Sequence, residues 1–369
     1  MTDTLRHFAS DNYAPVHPDI LAAIVAANDG GSAGAYGGDP WTEELDSRIQ
    51  EVFGPGTRAF PVVNGTGANV ISLMAVTPRW GGVVMSDVAH ANTDENGAPE
   101  RVGSLKLLTR PVTHGKLTEA DIHSWAGQIG DCHRGQPHAV SLTQSTELGT
   151  TYTAREVADL AAAARMYDAA VHMDGSRIAN AAAFLGTDLR SLTAEVGVDI
   201  LSFGVAKNGG MIGEAVVVLS PDNAVTEHSA EVRRQAAEAL PYLRKSTMQL
   251  ASKMRFVSAQ VLAMLSETGE HGTPLWLVNA AHSNAMAQRL AAGIAGLGTD
   301  EVRVAHPVEA NAVFATLPAV VADRVRSTVK FYDWGQGEAE GRVEARWMCS
   351  WMTAEAEVDD FVSAIDAAL

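Results

Sequence analysis

Between residues 59 and 219, six short apolar runs alternate with longer amphipathic segments: Ala59–Val63, Val83–Ser86, Ala139–Thr143, Ala169–Met173, Asp199–Phe203 and Ala215–Leu219, each bounded by Gly, Pro, Asn or Asp. Apolar runs of this length between turn-forming residues read as buried strands. One intervening helix opens at Thr153-Ala-Arg-Glu156, where the Thr caps the first turn and the Glu returns the bond. Strand and helix in alternation restrict the chain to an α/β architecture, a mostly parallel sheet with helices on both faces.

From about Glu227 to Leu265 the pattern is helical, with a break predicted at Pro241, which lacks a backbone donor and clashes with the preceding turn. Beyond it, a helical pattern over Leu275–Gly296 mixes with short strands around Val302–Ala305, Ala312–Ala315 and Val343–Trp351. The 369 residues are long enough for two domains, and we expect an N-terminal arm and large domain over 1–255 and a smaller C-terminal α+β domain over 256–369. With 46% apolar and 19% charged residues the composition is that of an ordinary globular protein.

A net charge of −17 opposes attraction to phosphate backbones and anionic lipid, so neither nucleic acid nor a membrane is an expected partner. Met1 to His7 carry no basic region followed by an apolar stretch, and no apolar run approaches the ~20 residues needed to span a bilayer, so a cytoplasmic location is expected. Cys132 and Cys349 are too few for a disulfide framework and lack metal-site spacing; both are read as free thiols and no metal is expected.

The segment most informative about chemistry is Ala169-Ala-Val-His-Met-Asp174-Gly-Ser-Arg177, a strand that ends in an acid. Ligands of open α/β sheets bind at such carboxyl ends, and a carboxylate there suits a protonated pyridine nitrogen, although a structural Asp in a turn has the same local pattern. At 207 − 174 = 33 positions further on, Leu201-Ser-Phe-Gly-Val-Ala-Lys207 closes a second strand with one lysine among small residues. Burial weakens an ammonium and makes the amine usable for a Schiff base. Pro61-Val-Val-Asn-Gly65-Thr66-Gly-Ala-Asn69 leaves a strand and opens a helix whose first amides suit a single phosphate, while lacking the GK[ST] of a nucleotide-binding loop. His90 follows another strand end, where its ring can stack on a cofactor or relay protons; His133 precedes a strand and is by default a surface residue.

Taken in order, these segments resemble the L-threonine aldolases, pyridoxal-5′-phosphate (PLP) enzymes of the aspartate-aminotransferase fold (fold type I). Phe8-Ala-Ser10-Asp-Asn12 is similar to the family's opening motif, Ala35-Tyr36-Gly-Gly-Asp-Pro40 to its Tyr-Gly-x-Asp-Pro loop, and Asn64–Asn69 to its phosphate cup. His172-Met-Asp-Gly-Ser-Arg177 resembles its His-x-Asp-Gly-Ala/Ser-Arg, and Lys207-Asn-Gly the bacterial subgroup. The resemblance implies PLP on Lys207, Asp174 on the pyridine nitrogen, Gly65 and Thr66 at the phosphate, His90 stacked on the ring, and Arg177 near the cofactor oxygen and substrate carboxylate. It further implies substrate contacts from Ser10, Tyr36 and Arg346, and a second active-site histidine at His133. His133 is then favoured over His90 as the base, because stacking occupies the ring of His90.

Two segments depart from the family pattern. Gln144-Ser-Thr-Glu147 replaces Glu-Asn-Thr, and Ser252-Lys253-Met-Arg255 replaces the segment from which a neighbouring subunit reaches the phosphate, for which Lys253 is the candidate. The implied protein is a homodimer or homotetramer that cleaves a small β-hydroxy-α-amino acid such as threonine, allo-threonine or phenylserine to glycine and an aldehyde. The alternatives are a β-eliminating lyase, a serine hydroxymethyltransferase-like enzyme, or a noncatalytic oligomer that keeps the fold.

Overall fold

The computed structural model describes residues 6–268, 272–336 and 339–369. A seven-stranded sheet is formed by β1 (Arg58–Val62), β2 (Gly81–Ser86), β3 (Lys106–Arg110), β4 (Gln136–Thr143), β5 (Ala170–Gly175), β6 (Ile200–Phe203) and β7 (Glu214–Val218), in the spatial order β1-β7-β6-β5-β4-β2-β3. All neighbours are parallel except β7, which runs antiparallel to both β1 and β6. The alternation predicted six of these strands. It passes over β3, where Lys106, Thr109 and Arg110 interrupt the apolar run; an edge strand tolerates such residues because charge there blocks pairing with another chain.

Both faces are covered. Val83, Met85, Ala170 and Ile200 pack under α3 (Gly65–Val76) and α6 (Glu227–Ser246). Val84, Val140, Val171, Met173 and Leu201 form the opposite core with α2 (Pro40–Phe53), α4 (Ala154–Arg165), α5 (Ile178–Leu185) and α7 (Arg255–Leu265). Consecutive strand residues point to opposite faces, so His172 and Asp174 share the α3 side with Ala170. Asp199, buried just before β6, ties these layers together: it accepts from Arg233 Nε of α6 at 2.9 Å, Arg165 Nη2 of α4 at 2.7 Å and the Val171 amide of β5 at 2.8 Å.

The break predicted at Pro241 does not occur, and α6 runs through it. Pro241 is exposed, so its ring lies on the solvent side of the helix and not in the core. The helical pattern is interrupted instead by residues 247–254, ahead of α7.

A second sheet, entirely antiparallel, has the order β8 (Arg303–Val304), β9 (Ala312–Pro318), β11 (Arg342–Met348), β10 (Tyr332–Gln336). With the later turns of α8 (Leu275–Gly296) and with α10 (Glu355–Ala368), it encloses a separate core that includes Trp347, Phe361 and Phe331. Phe8 belongs to that core, 4.6 Å from the Phe361 ring. The N-terminal segment is thereby anchored to the second sheet, while the turn that follows, Asp11–Tyr13, faces the carboxyl ends of the first.

Candidate active site

A cavity of about 370 Å³ opens at the carboxyl ends of β4, β5 and β6 and is walled on its far side by β10 and β11. It is lined by Asp174, Lys207, Arg177, Arg346, His90 and Ser10, together with Asn12, Thr143, Glu147 and Trp334.

Asp174 is buried at the end of β5. Its Oδ1 accepts from the Ser176 amide and hydroxyl at 3.0 and 2.6 Å, and its Oδ2 accepts from Asn69 Nδ2 of α3 at 2.8 Å. Burial alone would raise its pKa, but the Lys207 charge and the Ser176 bonds outweigh it and hold the carboxyl below its ordinary value. Asp174 is thus a fixed carboxylate. A carboxylate has about four acceptor positions, and the three bonds leave one on Oδ2 for a further donor. His172, beneath it on the strand, lies between Ser141 Oγ at 2.8 Å and Ser202 Oγ at 3.0 Å, and burial pushes its pKa down to about 4, so the ring is neutral.

Lys207 lies in the turn after β6, and its pKa falls through burial first and the Arg177 charge second. The turn is held by the buried Glu214, which accepts the amides of Val205 and Ala206 and is itself pushed up to about 7 by burial. It closes at Gly209 with φ 111°, where a Cβ would stand 3.1 Å from Asn279 Nδ2. The left-handed conformation and the close approach together require glycine.

Arg177 forms a two-pronged pair with the buried Asp11, Nε and Nη2 at 2.7 and 2.9 Å, and Asn311 Nδ2 adds a third bond to that carboxylate at 3.1 Å. Opposite, Arg346 lies 4.6 Å from the Trp334 ring centroid and gives one bond, Nη2 to the Ala9 carbonyl at 3.3 Å. Its buried Nε has no partner among the described residues. Burial and the Arg177 charge hold Arg346 below its ordinary pKa, which is the electrostatic signature of a place built for an anion.

His90 opens a single helical turn after β2. Its Nδ1 is 3.0 Å from Glu95 Oε1, which also accepts from Asn69 Nδ2 at 3.0 Å. The Glu95 bond raises the His90 pKa against the opposing effect of burial. Asn69 therefore links the carboxylate at the strand end to the His90–Glu95 pair.

Five expected residues stand apart from this cavity: Gly65, Thr66, Tyr36, Lys253 and His133. Gly65 and Thr66 form the first turn of α3 with Asn64 as the cap, its side chain accepting the Gly67 amide at 2.7 Å. First-turn amides have no acceptor within a helix, and a Cβ on Gly65 would meet nothing within 4 Å. This turn begins four residues before Asn69, roughly 6 Å along the helix, which is the scale of a substituted pyridine ring. Tyr36 and Lys253 are exposed on a separate surface, where Ser252 O accepts the Tyr36 amide at 2.9 Å.

His133 requires correction as the expected base. It is exposed, bonded through its amide to Asp131 Oδ1, and lies ahead of the first residue of β4, while the cavity opens at the last. Eight strand residues, roughly 26 Å, separate the two ends, so His133 does not reach the cavity of its own chain. Among residues the sequence reading passed over are Asp11, Trp334 and Glu147. Glu147 had a visible signal, an acid four positions past the carboxyl end of β4, where ligand sites gather.

Comparison with known proteins decides the family. The beta-eliminating lyase family matches residues 7–319. The chain is 38% identical to a low specificity L-threonine aldolase of a Pseudomonas species over all of this chain and 99% of that one, and 39% identical to the low specificity L-threonine aldolase of Pseudomonas aeruginosa over 96% and 95%. The chain belongs to the L-threonine aldolases. A structure of threonine aldolase from Leishmania major superposes with a TM-score of 0.87 at 26% identity, covering 98% of this chain and 99% of that one.

L-threonine aldolases are PLP-dependent lyases of fold type I, and the residues of this chain fit that cofactor. Asp174 has an acceptor position free for a pyridinium N–H, Lys207 supplies a weakened amine, and the start of α3 supplies first-turn amides for a phosphate. Among the described residues no helix is long and apolar enough to cross a membrane.

Proposed function

We propose that this chain cleaves β-hydroxy-α-amino acids of the threonine and phenylserine type to glycine and an aldehyde. The observation that carries this reading is the convergence on a single cavity of the Asp174–Lys207 pair, at adjacent strand ends, with two guanidinium groups, Arg177 and Arg346. When bound, PLP supplies an electron-withdrawing ring, joined to the substrate's amino group, that accepts the electron pair left on Cα. Lys207, the amine lining the cavity, would hold the cofactor there. Asp174 keeps a proton on the ring nitrogen, with Ser176 and Asn69 fixing the carboxylate. Arg346 receives the substrate carboxylate, and Arg177, oriented by Asp11, closes the other side. Binding the carboxylate and the amine at two fixed points would restrict the substrate's rotation and so select which bond at Cα is presented for cleavage.

Arg346→Lys tests the carboxylate role. The planar fork makes two parallel bonds that an ammonium cannot reproduce. Substrate KM is expected to rise about tenfold or more, the loss of one charged hydrogen bond, with PLP affinity unchanged. If PLP is lost while KM holds, Arg346 serves the cofactor and the carboxylate passes to Arg177. Incubation with isomers of threonine, allo-threonine and phenylserine tests the function itself by its products.

We also propose a homodimer or homotetramer. Tyr36, stacked 4.5 Å from Lys245 Nζ, lies beside the 247–254 segment, where Met248 is 79% exposed. A second copy of the chain covering this face would seal its apolar groups and bring Tyr36 and Lys253 toward a neighbouring cavity.

A further inference from the structure

We propose that Glu147 accepts the β-hydroxyl proton of the substrate as the Cα–Cβ bond breaks; the assignment rests on the aldol-cleavage reading above. Glu147 lines the cavity just past the carboxyl end of β4. Its Oε1 accepts the backbone amide of His90 at 2.8 Å, which fixes the carboxylate on the wall shared with that histidine. Its Oε2 is buried and has no hydrogen-bond partner among the described residues. A buried carboxylate oxygen without a donor is costly, and the cost is removed when a hydroxyl in the cavity donates to it.

The other ionisable groups of the inner cavity are committed. Asp174 is bonded by Ser176 and Asn69, Arg177 by Asp11, and His90 Nδ1 by Glu95. Lys207 is assigned to the cofactor and Arg346 to the substrate carboxylate. Asp94, Tyr332 and Asp333 lie at the exposed mouth.

Burial pushes Glu147 up to about 7, the His90 amide bond opposing and the Asp174 charge adding to the rise. The groups acting on it are Asp174 and Arg177 at the end of β5, Tyr152 ahead of α4, the His90 turn after β2 and, opposing the rise, its own backbone amide and the Thr143 hydroxyl at the end of β4. A base with a pKa near the working pH is both available and strong enough to take the proton. The step balances: the hydroxyl O–H bond breaks, its proton goes to Oε2, and its electron pair becomes the second bond of the aldehyde carbonyl. The Cα–Cβ pair stays on Cα, which then takes a proton to complete glycine. As pH falls through about 7, Glu147 becomes protonated and turnover is expected to fall with it.

The test compares wild-type holoenzyme with Glu147→Gln, whose amide oxygen still accepts the His90 N–H but whose other atom takes no proton. We expect kcat to fall by about 10²-fold or more, the acid limb of the pH profile to vanish, and PLP and glycine affinities to hold. Infrared spectra of the apo-proteins, taken through about pH 7, should show a buried-carboxyl ionisation in the wild type that the variant lacks, while that of Glu214 stays in both. Near-normal kcat with an intact acid limb overturns the role of Glu147, as does loss of that limb in His90→Phe or His133→Ala but not in Glu147→Gln. A wild type that cleaves none of these amino acids defeats the aldol reading instead. Should Glu147→Gln fail to fold, Glu147→Asp decides: a lower kcat with a displaced acid limb supports the role, and an unmoved profile overturns it.

Discussion

Lys207→Ala is expected to lower turnover by on the order of 10³-fold or more and to remove every covalent link between PLP and the protein. Lys207 is the one lysine among the residues lining the cavity, and its amine is the one weakened by both burial and the neighbouring Arg177 charge. PLP should remain bound without the link, since Asp174 and the first turn of α3 do not depend on it. Borohydride reduction of the wild type followed by peptide mapping checks the attachment point directly. A label on any other lysine would remove the basis for the whole site.

Asp174→Asn is expected to loosen PLP roughly ten- to a hundredfold, because a charge-assisted hydrogen bond is worth about 1.5–3 kcal/mol and each 1.4 kcal/mol is a factor of ten. The damage extends beyond the lost charge. An amide at this position keeps one oxygen for the Ser176 donors and turns its NH2 toward Asn69 Nδ2, donor against donor. Turnover should fall as well, since a ring nitrogen without its proton withdraws electrons poorly. Titration of apo-protein with PLP, followed by kinetics on the saturated variant, separates the two effects. Unchanged affinity with an unchanged rate would contradict the role.

The large sheet is legible in the sequence because its strands are buried on both faces and so appear as unbroken apolar runs. The strands that escape notice are edges: β3, with Lys106 and Arg110, and β10, where Asp333 and Gly335 disturb the alternation. Asp174, Lys207 and Arg177 are visible for a related reason, since polar residues directly after apolar strands mark the end of a sheet where ligands bind. Asp11 is not visible in this way. Its meaning depends on Arg177, 166 residues away, and on the Phe8 anchor that carries the N-terminal turn across to the first sheet. Trp334 acquires its place only when the second sheet sets it against Arg346. His133 shows the reverse error: the resemblance placed it in the site, whereas its position ahead of Gln136 puts it at the end of β4 opposite the cavity.

The pKa of Glu147 is equally a product of assembly. Nothing in Gln144-Ser-Thr-Glu147 announces a carboxyl near 7; the shift comes from burial beneath the His90 turn and from the charge of Asp174 on the neighbouring strand.

Which bond breaks is read from the products. Purified PLP-loaded protein incubated with threonine, allo-threonine and phenylserine isomers, without added folate, should release glycine and the corresponding aldehyde in equal amounts. A 2-oxo acid with ammonia, or cleavage only when folate is supplied, would instead place the chain's chemistry with elimination or one-carbon transfer.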